Sequence, residues 1–199
     1  MKKYSFEKMA RTYYTELAAL MNSIAVTSKN ASHIKLYKGI ELASRFLLSR
    51  TESGNKLIFI GNGAGAAMAS HLSADFWKNA GLKAVAFNDI ALLTAVSNDC
   101  GYPHVFEKPV EVFADSGDVV VAISSSGKSK NILNAVKAAR SKRCNIITLS
   151  GFKAGNPLRK LGDLNFYVHS GSYGPVEIIH HSICHCILDM IIQFRRSRF

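Results

Sequence analysis

The chain has 199 residues, and its 25 Lys and Arg against 14 Asp and Glu give a formal net charge of +11. A length near 200 suits one domain, 1–199, that can bury its own core, and 48% hydrophobic with 20% charged residues excludes a disordered or fibrous chain. Cys100, Cys144, Cys184 and Cys186 form no C-x-x-C pair, which excludes a zinc knuckle or thioredoxin-type motif; they are too sparse for a disulfide scaffold, so a reducing cytoplasm is expected.

Lys2 and Lys3 could open a secretory signal, but Glu7, Lys8, Arg11 and Glu16 stand where an uncharged segment is required, so no signal peptide is expected. Phe6, Met9, Tyr13, Leu17, Leu20 and Ile24 recur at steps of three and four, which predicts an amphipathic helix. A second helix is expected from about Lys35 to Leu48, ending near Gly54, so 1–54 forms an N-terminal helical extension. From Lys56 short apolar runs alternate with helical ones: Leu57 to Ile60, Ala84 to Phe87, Val119 to Ile123, Asn145 to Leu149 and Asn165 to Val168. Nearly continuous apolar strands separated by helices indicate an α/β fold with a parallel sheet covered on both faces. The closing segment from about Val176 to Phe194 reads as a long helix. Its most apolar part, Ile178 to Phe194, carries His180, His181, His185 and Asp189 and is expected to be too polar and too short to span lipid.

Basic residues gather at Lys137, Arg140, Lys142 and Arg143 and in the tail Arg195, Arg196 and Arg198. Without interleaved aromatics, such clusters suit a solvated face or an anionic small molecule better than nucleic acid.

In an open parallel sheet, ligands bind beyond the carboxyl ends of the strands. Gly61-Asn62-Gly63-Ala64-Gly65-Ala66 follows the first expected strand and fits the loose pattern G-x-G-x-x-A. The acidic ribose partner that pattern needs has only Asp89 as a candidate, just past the second strand, so a tight strand-to-helix turn is the simpler account. Ser124-Ser125-Ser126-Gly127-Lys128-Ser129 follows the third strand and opens a helix. Four hydroxyls and a run of backbone N–H groups at a helix N-terminus suit a phosphate dianion, although a serine-glycine loop is also a good helix cap. Ala122 stands where a Walker loop needs its first glycine. His71 and Asp75 lie four apart, as do Glu177, His181 and His185, so each group shares a helix face. Two histidine–carboxylate groups of this kind suit zinc or a similar divalent ion if their helices meet.

Gly61-Asn62-Gly63, the serine loop, Asn98-Asp99-Cys100-Gly101-Tyr102, and Glu177 with His185 together resemble the sugar isomerase (SIS) fold, and within it the sedoheptulose 7-phosphate isomerases, over nearly the whole chain. The resemblance implies a flavodoxin-like, doubly wound, five-stranded parallel sheet, a homotetramer, and a bound zinc ion. It also implies conversion of sedoheptulose 7-phosphate to a heptose 7-phosphate for surface polysaccharides. Carried over by position, Ser124, Ser126 and Ser129 would grip the phosphate, Ser125 would reach the sugar, and Asn62, with Gly63 beside it, and Asp99 would contact its hydroxyls. His71, Asp75, Glu177 and His185 would hold the metal, with Asp75 and Glu177 as candidate bases and His185 as candidate acid. The family usually has Glu at Asp75, often Gln at Glu177 and a serine at Gly65, and a more polar stretch where Tyr173-Gly174-Pro175 stands. The rival implied by the same resemblance is a non-catalytic relative that senses a sugar phosphate or associates with a replication initiator. The acid–base residues favour an enzyme; only the basic tail favours the rival.

Overall fold

In the computed structural model, which describes residues 5–197, five strands run parallel: β3 (Leu57–Gly61), β4 (Ala84–Ala86), β5 (Val119–Ser124), β6 (Asn145–Ser150) and β7 (Leu164–Tyr167). Lys2, Lys3 and Arg198 lie outside the described residues. The two helices expected ahead of the core are present, α1 (Phe6–Asn22) and α2 (Leu36–Glu52), but a hairpin the periodicity did not announce separates them. Its strands β1 (Ala25–Ser28) and β2 (His33–Ile34) pair antiparallel, and β1 continues antiparallel onto β7. The sheet therefore has seven strands in the order β2-β1-β7-β6-β5-β3-β4, rather than five. Within it the five parallel strands keep the flavodoxin order. The expected first helix stops at Asn22, short of Ile24, because the chain must extend to enter β1.

Alternate residues of the central strands feed two cores. Leu57, Phe59, Val119, Val121, Ile147 and Leu149 face one side. There they pack with α2, α3 (Ala64–Ala80) and α7 (Tyr173–Arg196). Ile58, Ile60, Val120, Ala122 and Ile146 face the other, with α5 (Glu107–Phe113) and α6 (Lys130–Ser141). A strand buried on both faces has no polar side to show, which is why these runs are continuously apolar.

The closing helix is longer than its apolar stretch suggested. It begins at Tyr173, with Pro175 in the first turn, where a missing N–H costs nothing. At 24 residues, with a window of mean hydropathy 1.3, it is long and apolar enough to cross a membrane by length and composition, so the expectation of too short and too polar a segment does not hold. The helix instead packs into the sheet, burying Val176, Ile179, Ile183, Ile187, Leu188 and Ile191. Of the α1 stripe, only Leu17 is buried; Phe6, Met9, Tyr13 and Tyr14 stand exposed.

Candidate active site

Strand order reverses between β3 and β5, whose carboxyl ends are paired at Gly61 and Ile123. The glycine and serine loops leave the sheet at these adjacent ends, where open α/β sheets place their ligands. They line one cleft of about 260 Å³ with Asn62, Gly63, Ser124, Ser125, Ser126 and Ser129 on its walls, joined by Tyr173 and Glu177 from α7. A Cβ on Gly61 would lie 2.5 Å from the Gly65 backbone, so the glycine loop is the tight turn its composition suggested. Asp89 caps the helix α4 (Ile90–Cys100) by accepting from Leu92 N at 3.0 Å, and so serves helix capping rather than a ribose.

Ser129 occupies the N-cap of α6 but makes no side-chain capping bond; its hydroxyl instead stands 3.3 Å from that of Ser124. The helix's first N–H groups and these hydroxyls therefore converge on the cleft, as an anion requires. Behind the loop lies Asn156, which is buried and so close that a Cβ on Gly127 would fall 2.0 Å from its Oδ1. Its Nδ2 donates to Ser150 Oγ (3.2 Å), Gly151 O (3.1 Å) and Lys153 O (3.0 Å), and its Oδ1 accepts from Arg159 N (3.0 Å).

Asn62 is fixed by a reciprocal pair with Asn131, at 2.9 and 2.8 Å, and accepts a third bond from the Tyr102 hydroxyl at 2.9 Å. Asn131 is almost fully buried at the start of α6. Neither Asn131 nor Asn156 was marked by sequence reasoning; a buried-type asparagine one step inside a helix, and another ahead of Pro157, were the only signals. Asp99, by contrast, is exposed near the end of α4, accepts from Asn98 Nδ2 at 2.8 Å and does not line the cleft.

Helices α3 and α7 do meet. His71, His181 and His185 each offer a ligand atom within 4.8 Å of the others. The Nε2 atoms of His181 and His185 are 3.1 Å apart, and Asp75 Oδ2 lies 3.2 Å from His71 Nε2. Burial, with the neighbouring His185 and His71 adding to it, lowers the pKa of His181. Imidazole donors from two helices suit zinc and similar borderline divalent ions, so this cluster fits a metal. The structure brings together three of the four residues carried over for the metal, His71, Asp75 and His185, and adds His181. Glu177 is placed differently: it lines both the serine cleft and the neighbouring cavity that His71 and His181 border. The rest of the α7 stripe is structural. His180 is buried, its Nε2 donating to Ser150 O at 3.2 Å and its Nδ1 without a partner. In the basic cluster, Arg140 is also structural, binding both carboxylate oxygens of Asp163 at 3.0 Å.

Residues 12–151 match the SIS domain family. A phosphoheptose isomerase from Aliarcobacter butzleri is 37% identical over 158 residues, 74% of this chain and 83% of that protein. Another from Histophilus somni is 34% identical over 190 residues, 92% and 95% of the two chains. Among solved structures, the phosphoheptose isomerase from Francisella tularensis superposes with a TM-score of 0.83 at 27% identity, covering 96% of this chain and all of that one. The corresponding enzyme from Neisseria gonorrhoeae gives 0.81 at 28%, covering 94% and 98%. With its two loops at the switch point of a flavodoxin-ordered sheet and this similarity along most of its length, the chain belongs to the phosphoheptose isomerase family of SIS-domain proteins.

Proposed function

We propose that the chain isomerises sedoheptulose 7-phosphate to its aldose, a heptose 7-phosphate for surface polysaccharide synthesis, in the cytoplasm. The observation that carries this reading is Glu177, among the described residues the one acidic group on the wall of the serine cleft and also on the wall of the histidine cavity. A phosphate in the serine loop, held by Ser124, Ser126, Ser129 and the N–H groups opening α6, anchors the far end of the sugar. Ser125 and Asn62, the latter held rigid by Asn131 and Tyr102, orient the hydroxyls. Glu177 then takes a proton from C1 of the ketose, giving an enediolate across C1 and C2, and returns it to C2 as the hydroxyl proton passes from O1 to O2. No atom is gained or lost, and the carbonyl ends at C1. A zinc ion, when bound, would polarise the carbonyl and stabilise the enediolate charge. His71, His185 and their neighbours would hold it. Such an acid–base and metal-ligand arrangement gives a merely sensing relative nothing to do, which favours an enzyme.

Incubation with sedoheptulose 7-phosphate in heavy water tests the proposal. Aldose should form, with deuterium entering the carbon that exchanges; a folded protein that yields neither product nor exchange overturns it.

The 1–54 segment is proposed as the assembly element of a homotetramer. Phe6, at 83% exposure, with Met9, Tyr13 and Tyr14, presents an apolar face that one copy leaves uncovered. Sedimentation at micromolar concentration should give a tetramer, and a monomer would refute this.

A further inference from the structure

We infer that Tyr173, backed by Phe152, is a specificity-determining residue whose ring takes the C–H face of the sugar's middle carbons. The hydroxyls on C4 and C5 are then not read by hydrogen bonds, and the site tolerates their loss or inversion. The inference rests on the isomerase reading above and deepens it by naming the part of the substrate that the cleft leaves unread.

The first ground is position. Tyr173 opens α7 and lines the cleft together with the serine loop and Glu177. It stands four residues before Glu177, on the same face of the helix and about 6 Å away along its axis. With the phosphate in the serine loop and the reacting carbons at Glu177, the part of the substrate left for Tyr173 is the middle of the chain.

The second ground is how the ring is held. Tyr173 packs edge-on against Phe152, with centroids 4.8 Å apart and planes at 67°. Phe152 has a φ of 59°, a left-handed backbone uncommon for an aromatic residue, and it is pinned there. Its N–H donates to Ser170 O and its carbonyl accepts from the Tyr167 hydroxyl, both at 2.8 Å. Tyr167 is buried, and Phe152 itself packs against the larger core. A ring fixed in this way loses little freedom when a ligand covers it, which favours recognition. At 59% exposure, Tyr173 keeps much of its surface open to that ligand.

The third ground is the chemistry of the wall. A heptulose 7-phosphate carries hydroxyls on C3, C4, C5 and C6 between its reacting carbons and its phosphate ester. Among the described residues on the wall, Ser124, Ser126 and Ser129 serve the phosphate and Glu177 the reacting carbons. That leaves the side chains of Asn62 and Ser125 for all of these hydroxyls. Asn62 has already committed its carbonyl to Asn131 and Tyr102, and one amide hydrogen to Asn131. The rest of the wall is Gly63, Ala64, Gly65, Ile123 and the Tyr173 ring. An aromatic face, negative at its centre, attracts C–H groups but does not sense a hydroxyl that points away from it into water. Such a surface discriminates by roughly 10- to 200-fold, whereas a site built to hydrogen-bond a hydroxyl rejects the analogue lacking it by about 10⁴-fold or more.

The test measures kcat/KM of the full chain with sedoheptulose 7-phosphate, its 4-deoxy and 5-deoxy analogues, and its C4 epimer. All three analogues should stay within about 200-fold of the parent, and a larger loss for any of them overturns the inference. Tyr173→Ala should raise KM for the parent by about tenfold or more while kcat changes little, the pattern of binding lost away from the reacting carbons. Tyr173→Phe should recover most of that loss, because the ring and not its hydroxyl makes the contact. A folded Tyr173→Ala protein with wild-type KM, or a Tyr173→Phe protein as impaired as the alanine one, also overturns it. The analogue comparison needs no variant and stands if the alanine protein fails to fold. Should none of the four ketoses turn over, the isomerase reading fails, and calorimetric Kd values for the same ligands decide the wall by the same limit. Absence of binding by all four overturns both.

Discussion

Two glycines, one in each cleft loop, provide a controlled test of how the serine loop is held. Gly63 and Gly127 both have positive φ, 55° and 62°, and Gly63 combines it with a ψ of −122°, a backbone that L residues rarely adopt. A methyl group at either position therefore costs about 1–3 kcal/mol in backbone strain alone. Beyond that they differ. A Cβ at Gly63 meets nothing within 4 Å, whereas at Gly127 it would fall 2.0 Å from Asn156 Oδ1 and 2.3 Å from its Cγ. Asn156 cannot step aside cheaply, because its amide group makes four hydrogen bonds, to Ser150, Gly151, Lys153 and Arg159. Losing two or three of these at about 1 kcal/mol each brings the expected cost of Gly127→Ala to roughly 3–6 kcal/mol. Gly63→Ala should lose only about 1–3 kcal/mol. Urea denaturation of the two variants side by side measures the difference. The loop's displacement should also raise the KM of Gly127→Ala for the sugar phosphate, since the Ser126 hydroxyl and the N–H of Lys128, which it accepts from, move with it. Equal destabilisation of the two variants would refute the claim that Asn156 leaves no room for a side chain at Gly127.

Removing two hydroxyls with Ser124→Ala and Ser126→Ala should weaken sugar-phosphate binding by about 1.5–3 kcal/mol for each charge-assisted bond lost; calorimetry on the folded double variant that shows unchanged affinity would exclude this loop as the phosphate site. Burial pushes the pKa of His180 down to about 4, so the unfolded chain, with an ordinary value near 6.5, binds that proton more readily. Its contribution to stability is complete above about 6.5 and is lost as pH falls toward 4, by roughly 3 kcal/mol; melting curves across that range should be shallower for His180→Gln, and identical slopes would contradict the burial argument. Tyr102→Phe removes one of three bonds that fix the Asn62 amide, so kcat should fall several-fold with little change in the melting temperature; an unaltered kcat would show that Asn131 alone positions Asn62.

The parallel strands of the core and the two loops of the cleft were legible in the sequence because their signals are local. A strand covered on both faces must be apolar throughout, as in Val119 to Ile123, and a chain leaving such a strand toward a ligand needs the glycines and hydroxyls of Gly61 to Gly65 and Ser124 to Ser129. The β1–β2 hairpin was not legible. Four residues of mixed polarity, Ala25 to Ser28, carry too little pattern, and β1 exists because it pairs with β7, some 140 residues away in the chain. Helical spacing placed Glu177, His181 and His185 on one stripe but could not divide them, since steps of four are equivalent on an isolated helix. Only the packing of α3 against α7 sets His181 and His185 beside His71 and leaves Glu177 at the cleft. Periodicity determines which face a residue occupies; which partner it meets there depends on contacts between distant segments, and these exist only in the folded chain.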